Sequence, residues 1–496
     1  MVHEVVVVGG GIGGLTVAAL LASRGVDVCV LERQPQIGGC IANFEKFGNT
    51  FEPTMGLYAC FGPGDLHERI FSELPVELPE TRLLTRPYIA RLSDESEIAF
   101  SPDAAQNEET LRACFTECAE AAVGFYRNVR TVDERLRKAF QRVPDLLTAS
   151  HARQVYAFLP NVSLASQFAN LKKRTLFEEL EGTSRRFREF IELQLYPFSQ
   201  LPPEECAYVP SCAVLGAAEN GLFAIRGGAA AVAERLAESI RRSGGKIRLG
   251  SPVLRISFDE SGQPTGVDLL TGENIPASKA IISNMTLWDT YGKLIGMQRT
   301  PVELRKKLLT LVTPGAYLVF ASMDQNAAER LPADNLLIAT EPSGGSESLV
   351  DVSRFAFSAA PVWDARAPEG KRAVTVTFST DVDQWFTYQA DAEEQTRKDE
   401  EALTQAWEAL HRRIPELGGD IEVIETATPF TYYETTRRKL GMVGGLGLSV
   451  NFLNSARFSH RANVPNIFIV GDSCFPAAGL ISAAQSALTI ANEITS

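Results

Sequence analysis

The chain has 496 residues, 45% of them hydrophobic and 22% charged, a composition typical of folded globular proteins on a length too great for one core. Its 48 Lys and Arg against 61 Asp and Glu leave a net charge of −13, which excludes broad nucleic-acid binding and opposes wide electrostatic attachment to an anionic membrane. No apolar run reaches the roughly 18 uncharged residues of a membrane span, and the eight cysteines and five histidines show no zinc-type spacing, so no metal is expected.

A β-unit begins at once, with no signal peptide ahead of it, and the expected location is the cytoplasm. Val5–Val8 is a continuous β-branched run, the mark of a strand buried on both faces of a parallel sheet. Gly9, Gly11 and Gly14 form GxGxxG around Ile12 and Gly13. Gly9 turns the chain out of the strand, Gly11 admits a pyrophosphate, and Gly14 seats the next helix on the sheet. That helix runs from Ile12 to about Arg24 and presents free N–H groups to phosphates. Val26–Leu31 is a second strand, and Glu32, followed by Arg33, places a carboxylate where it can accept both hydroxyls of an unphosphorylated ribose. The unit predicts FAD or NAD. Cys29 falls inside this strand, and buried free thiols are expected.

Gly38 and Gly39 suggest a loop returning over the cofactor. Phe44–Glu52 reads as a hairpin with a turn at Gly48-Asn49, followed by a tight loop through Met55 and Gly56. Pro87–Leu92 and Ser96–Phe100 read as a strand pair. From Asn107 to about Glu192 the pattern turns helical, an insertion that either covers a substrate tunnel or is a plain helical cap.

Gly221–Gly228 precedes a helix over Ala229–Ser243 with apolar residues at Val232, Leu236 and Ile240. Two strands follow through Val253, and Lys279–Asn284 is a further sheet strand. Val302–Val312 is a basic amphipathic helix, suited either to a membrane surface or to packing on its own sheet, with packing the preferred reading. Tyr317–Phe320, Ala373–Phe378 and Ile421–Ala427 read as strands, and Asp391–Arg413 as a solvated helix.

Pro465–Asp472 is a buried strand ending in Gly471-Asp472. A loop through Phe475–Gly479 leads into a helix of small residues from Leu480. Gly471 lets backbone approach the cofactor, and Asp472 can hydrogen-bond its hydroxyls. The helix start at Leu480 and Ile481 can aim its dipole at a flavin. A terminal strand-Gly-Asp-helix favours FAD over NAD. No second GxGxxG offers a nicotinamide site, so the electron acceptor is expected to be diffusible, such as oxygen or a quinone.

These blocks, with Trp288–Leu294 and Pro361–Gly370, resemble flavin amine-oxidase-type proteins, and within them the phytoene desaturase, carotenoid isomerase and retinol saturase group. One departure is Cys40, where the group often carries arginine after the glycine pair. The resemblance implies an α/β fold: a Rossmann-type, glutathione-reductase-like FAD domain built from residues 1–86, 216–298 and 451–496. A mixed-sheet substrate domain would comprise 87–106 and 299–450, with a helical insertion over 107–215. It implies that Val253 contacts the adenine. The cofactor-site candidates are thus Gly9, Gly11, Ile12, Gly13, Gly14, Glu32, Arg33, Gly38, Gly39, Met55, Gly56, Val253, Gly471, Asp472, Leu480 and Ile481.

No Ser-His-Asp set or carboxylate pair suggests hydrolysis, and no catalytic acid or base is assigned. The leading expectation is an FAD-dependent oxidoreductase acting on an apolar polyene by desaturation or cis–trans isomerisation, peripheral to a membrane if the basic helix lies on one. Alternatives on the same scaffold are an amine oxidase, a fatty-acid double-bond isomerase, or a non-catalytic FAD-containing lipid carrier.

Overall fold

His3–Val8 is the axis around which one sheet is built. It pairs in parallel with Val28–Leu31 on one side and with Asn274–Ser283 on the other. Lys246–Arg248 extends the sheet beyond Val28–Leu31, and Ile467–Ile469 extends it beyond Asn274–Ser283, both in parallel. Five strands from three distant stretches of chain thus lie side by side. In the computed structural model residues 2–143, 146, 150–159, 174–198, 201–311, 315–341, 348–387, 391–443, 449, 459–472 and 479–496 are described. The loop read over 475–478 lies outside them.

Val5, Val6 and Val7 are fully buried and Val8 nearly so, because both faces of the sheet are covered. Val5 and Val7 join a core with the helices Ile12–Ser23, Gly228–Arg242 and Gly479–Thr495. Val6 and Val8 point the other way. They join Ile256, Val267 and Ile275 on an antiparallel meander of Val253–Phe258, Pro264–Leu269 and Asn274–Ser283. The helix Val302–Thr310 closes this second face. Leu304 and Leu308 are buried in it, whereas Leu309 is 83% exposed.

A second, seven-stranded sheet runs in the order Ile421–Ala427, Gly315–Asp324, Lys371–Thr380, Asp351–Ala359, Asn335–Ala339, Ile89–Arg91, Glu97–Ala99. Its pairings are antiparallel except that of Asn335–Ala339 with Ile89–Arg91. The hairpin Phe44–Lys46/Asn49–Phe51 packs on it through Phe44, whose ring lies 4.7 Å from Phe320. The turn differs from the sequence reading. Phe47 and Gly48, not Gly48 and Asn49, are the two loop residues, with φ of 49° and 74°. Both signs suit the twist of a two-residue hairpin, and Asn49 is buried within the second strand.

The helices Ala104–Cys114, Ala119–Arg142, Arg185–Leu195 and Tyr208–Asn220 stack beside this sheet. Their centre is aromatic. Phe115 lies 5.2 Å from Phe187, edge-on, and Phe100 lies 5.0 Å from Tyr126. Gln194 links the layers by donating to Tyr126 Oη at 2.6 Å while accepting from Tyr88 Oη at 2.8 Å. These phenylalanines serve a core rather than a tunnel wall.

The two sheets are joined by a buried ion network. Glu52, Arg366 and Asp364 are 6%, 7% and 7% exposed. Arg366 donates to Glu52 Oε2 at 2.6 Å, to Asp364 Oδ2 at 2.6 Å and to the carbonyl of Ile225 at 3.0 Å. The carboxylates in turn accept backbone N–H groups from Ala229, at 3.1 Å, and Gly227, at 2.8 Å. Residues from the hairpin exit, the second glycine segment and the loop after Asp351–Ala359 thus meet in one satisfied cluster. A buried charge persists only when paired and hydrogen-bonded in this way.

Candidate functional site

The first strand ends at Gly9, whose φ of 102° is a conformation that only glycine adopts freely. The helix that follows starts at Ile12, with Gly11 at its cap position and no side-chain cap. Its first N–H groups are therefore left to an external acceptor. The glycines are spatially required. A Cβ on Gly14 would lie 2.2 Å from Gly9 O, one on Gly11 2.6 Å from Asn284 Nδ2, and one on Gly13 2.9 Å from Gly471 Cα. Gly14 is thus buried under the turn, whereas Gly9, Gly11, Ile12 and Gly13 face a cleft.

Glu32 closes the second strand inside this cleft. Its carboxylate accepts Gly10 N–H at 2.6 Å and Gln34 N–H at 2.7 Å, one on each oxygen. Both oxygens keep a free lone pair, so the group is fixed in place and still able to accept. Arg33 sits at the rim, donating to the carbonyls of Glu434 and Thr435. Gly38 N–H donates to Gly10 O at 2.9 Å, and Gly39 packs on Gly11, so the glycine-pair loop lies over the GxGxxG turn. Met55 and Val253 line the same cleft. Gly56 does not. It faces a smaller cavity beside Glu52 and Ser358.

The far end of the chain completes the floor. Val470 N–H donates to Ser283 O at 2.9 Å, and Gly471 N–H donates to Ser486 Oγ at 3.2 Å. Gly471, Asp472, Leu480 and Ile481 line the cleft, opposite Gly11 and Gly13. Asp472 is paired with Arg438, Nη2 to Oδ2 at 2.9 Å. Burial works against the Arg438 charge, but Asp472 outweighs it and holds the guanidinium above its ordinary pKa. Burial pushes the Cys40 thiol up, against the pull of Arg438.

The cleft, of about 470 Å³, continues beyond this polar end between the two sheets. Ala316, Leu318, Ala356 and Thr377 come from the second sheet, and Tyr196 and Phe198 from the helical insertion. Every charged residue of the described lining belongs to the polar end: Glu32, Arg33, Asp289, Arg437, Arg438 and Asp472. The site therefore has a charged, glycine-floored chamber and a neutral one.

The family of flavin containing amine oxidoreductases matches residues 12–495. This chain belongs to that family. An all-trans-retinol 13,14-reductase from Danio rerio is 25% identical across 99% of this chain and 86% of its own length. Prolycopene isomerase 2 from an Oncidium hybrid cultivar is 25% identical across 99% of this chain and 84% of its own. The structure of a putrescine oxidase triple mutant, 16% identical, superposes with a TM-score of 0.64 over 99% of this chain and 98% of that one, so the fold is shared.

As a flavin amine oxidoreductase the protein is an FAD-type oxidoreductase. The charged chamber fits that group. Its floor is cleared of side chains at Gly11 and Gly13, its helix start is uncapped, and Glu32 is fixed with acceptor capacity to spare. No helix of the described residues is long and apolar enough to cross a membrane.

Two residues in the charged chamber carried no expectation from sequence. Arg438 reaches it from the short segment after the helix Pro429–Thr436, and no local motif announces it. Asn284, at the end of the strand Asn274–Ser283, places its carboxamide among Gly11, Gly13 and Gly471. Among the described residues its side chain makes no hydrogen bond, so it remains available to a ligand. Asn284→Asp would set a carboxylate beside the seat of a diphosphate. FAD affinity of the apoprotein, read by quenching of flavin fluorescence, is expected to fall about tenfold or more, with Tm little changed.

Proposed function

We propose that this flavin amine oxidoreductase acts on a long apolar polyene, by carotenoid-type desaturation or cis–trans isomerisation. The observation that carries the reading is the neutral chamber. Leu57, Phe61, Leu318 and Phe198 with the small Ala316 and Ala356 offer a hydrocarbon a dry surface, and the described lining there contains no carboxylate to meet an ammonium group. When bound, FAD supplies hydride and electron exchange at N5. The residues of this chain would hold the chain-like substrate, exclude water and present it to that face. Relatives named for retinol reduction and prolycopene isomerisation, each aligned over nearly the whole chain, support an isoprenoid polyene. The exposed Val302 and Leu309, on a helix that also carries Lys306 and Lys307, support a peripheral contact with the membrane from which such a substrate would come. The absence of a second GxGxxG in the sequence supports oxygen or a quinone as acceptor.

The test is anaerobic incubation of the FAD-loaded protein, oxidised or pre-reduced, with a phytoene-type carotenoid, a poly-cis carotenoid, a primary amine and a polyunsaturated fatty acid. Bleaching of oxidised flavin with loss of hydrogen from the polyene, or isomerisation with pre-reduced flavin, is expected. Bleaching by the amine alone would establish the amine-oxidase alternative, and turnover of the fatty acid alone the double-bond isomerase. A flavin that no donor reduces would make the protein a lipid carrier.

A further inference from the structure

We propose that Arg438 is the cationic anchor of the FAD diphosphate. The inference rests on the FAD assignment and deepens it. A diphosphate brings two negative charges to a site, and the glycine turn offers it only N–H groups and a helix dipole. The loop Gly38–Gly39–Cys40 adds no cation, since its third residue is a thiol held neutral by burial. Three guanidinium groups belong to described residues on the cleft lining. Arg33 is spent on the carbonyls of Glu434 and Thr435 at the rim. Arg437 lies over the Tyr433 ring, 5.0 Å from its centroid. Arg438 alone among them reaches the glycine floor.

Its position follows from four glycines. Gly39 packs on Gly11, and Gly471 packs on Gly13. Arg438 lies against the residue that follows each outer glycine: Cys40 after Gly39, and Asp472 after Gly471. The guanidinium is therefore bracketed by the two segments that pack on the GxGxxG turn, and it lines the same cleft as Gly11 and Gly13. Among the described residues its oxygen acceptors are Met442 O, on Nε at 2.8 Å, and Asp472, on Nη2. The Cys40 thiol is a further contact of the fork, and an oxygen of the ligand would take the Nη1 donors, which no described oxygen accepts. Asp472 thus orients the fork rather than occupying it fully.

The backbone is shaped to deliver this side chain. Arg437 and Leu440 have φ of 56° and 50°, left-handed conformations that cost non-glycine residues about 1 kcal/mol or more each. Between them they turn the chain back at Arg438. Gly441 closes the turn, where a Cβ would lie 1.7 Å from Pro429 O. Two disfavoured residues around one half-buried arginine mark a segment held for what it presents.

The experiment uses apoprotein from the full chain, titrated with FAD, ADP and riboflavin at several salt concentrations. Arg438→Gln is expected to weaken FAD and ADP by about 10–100-fold and to flatten the salt dependence, while riboflavin, which has no diphosphate, binds as before. Arg438→Lys is expected to keep the salt dependence with a several-fold weaker FAD, because a point charge replaces the fork. Unchanged FAD binding in Arg438→Gln, or equal losses for FAD and riboflavin, would overturn the proposal. If Arg438→Gln does not fold, Arg438→Lys decides: loss of the salt dependence there overturns it. Failure of the wild-type chain to bind FAD would instead overturn the cofactor assignment.

Discussion

Arg366→Met is expected to destabilise the protein by about 3–5 kcal/mol, the cost of leaving a buried charge without its partner. The substitution nearly preserves volume, so the effect is electrostatic rather than a cavity. Wild-type Arg366 neutralises two carboxylates at once, Glu52 and Asp364, each at 2.6 Å. Without it they face each other in a site under a tenth exposed. Ala229 and Gly227 still donate their N–H groups, but two dipoles do not replace a full positive charge. The loss falls at the junction between the nucleotide sheet and the second sheet, so FAD retention should fall with Tm. Thermal unfolding followed by circular dichroism, with flavin release recorded in parallel, checks both. A Tm within about 2 °C of wild type would show that the junction does not depend on this guanidinium.

Gly14→Ala is expected to yield a protein that retains little or no FAD. The added methyl group would lie 2.2 Å from Gly9 O, well inside van der Waals contact. Gly9 cannot yield, because its N–H is bonded to Leu31 O at 2.8 Å and its own φ is already positive. The helix Ile12–Ser23 must therefore lift from its strand, carrying the uncapped N–H groups away from the phosphates. The ratio of flavin absorbance to protein absorbance in the purified variant is the readout. Gly124→Ala serves as the control. It lies within the helix Ala119–Arg142, where a Cβ meets nothing within 4 Å, and should be neutral or stabilising by up to about 1 kcal/mol.

What the sequence reveals here is local. The Val5–Val8 run, the glycines and Glu32 lie within one βαβ unit, whose chemistry repeats at fixed spacing, so an α/β FAD-binding fold could be read from it. The terminal Gly471-Asp472 carries the same kind of signal. What could not be read depends on tertiary meetings. Glu52, Arg366 and Asp364 are ordinary charged residues until the fold brings them together. Asn284 follows a strand with no pattern that distinguishes it from a loop asparagine. Arg438 stands between Arg437 and Lys439, and no spacing sets it apart from its basic neighbours. The hairpin turn sits one residue earlier than the Gly48-Asn49 pair suggests, because a phenylalanine at positive φ, here Phe47, runs against local preference.

The contact of Gly13 with Gly471 has a bearing on biosynthesis. The nucleotide seat is shared between Gly13 and Gly471, so a ribosome must translate the whole stretch between them before the vitamin-derived group can be captured. Until then the strand Asn274–Ser283 lacks its neighbour Ile467–Ile469, and an unpaired strand edge is prone to aggregation. A nonsense codon anywhere upstream of the final strand would leave a colourless product.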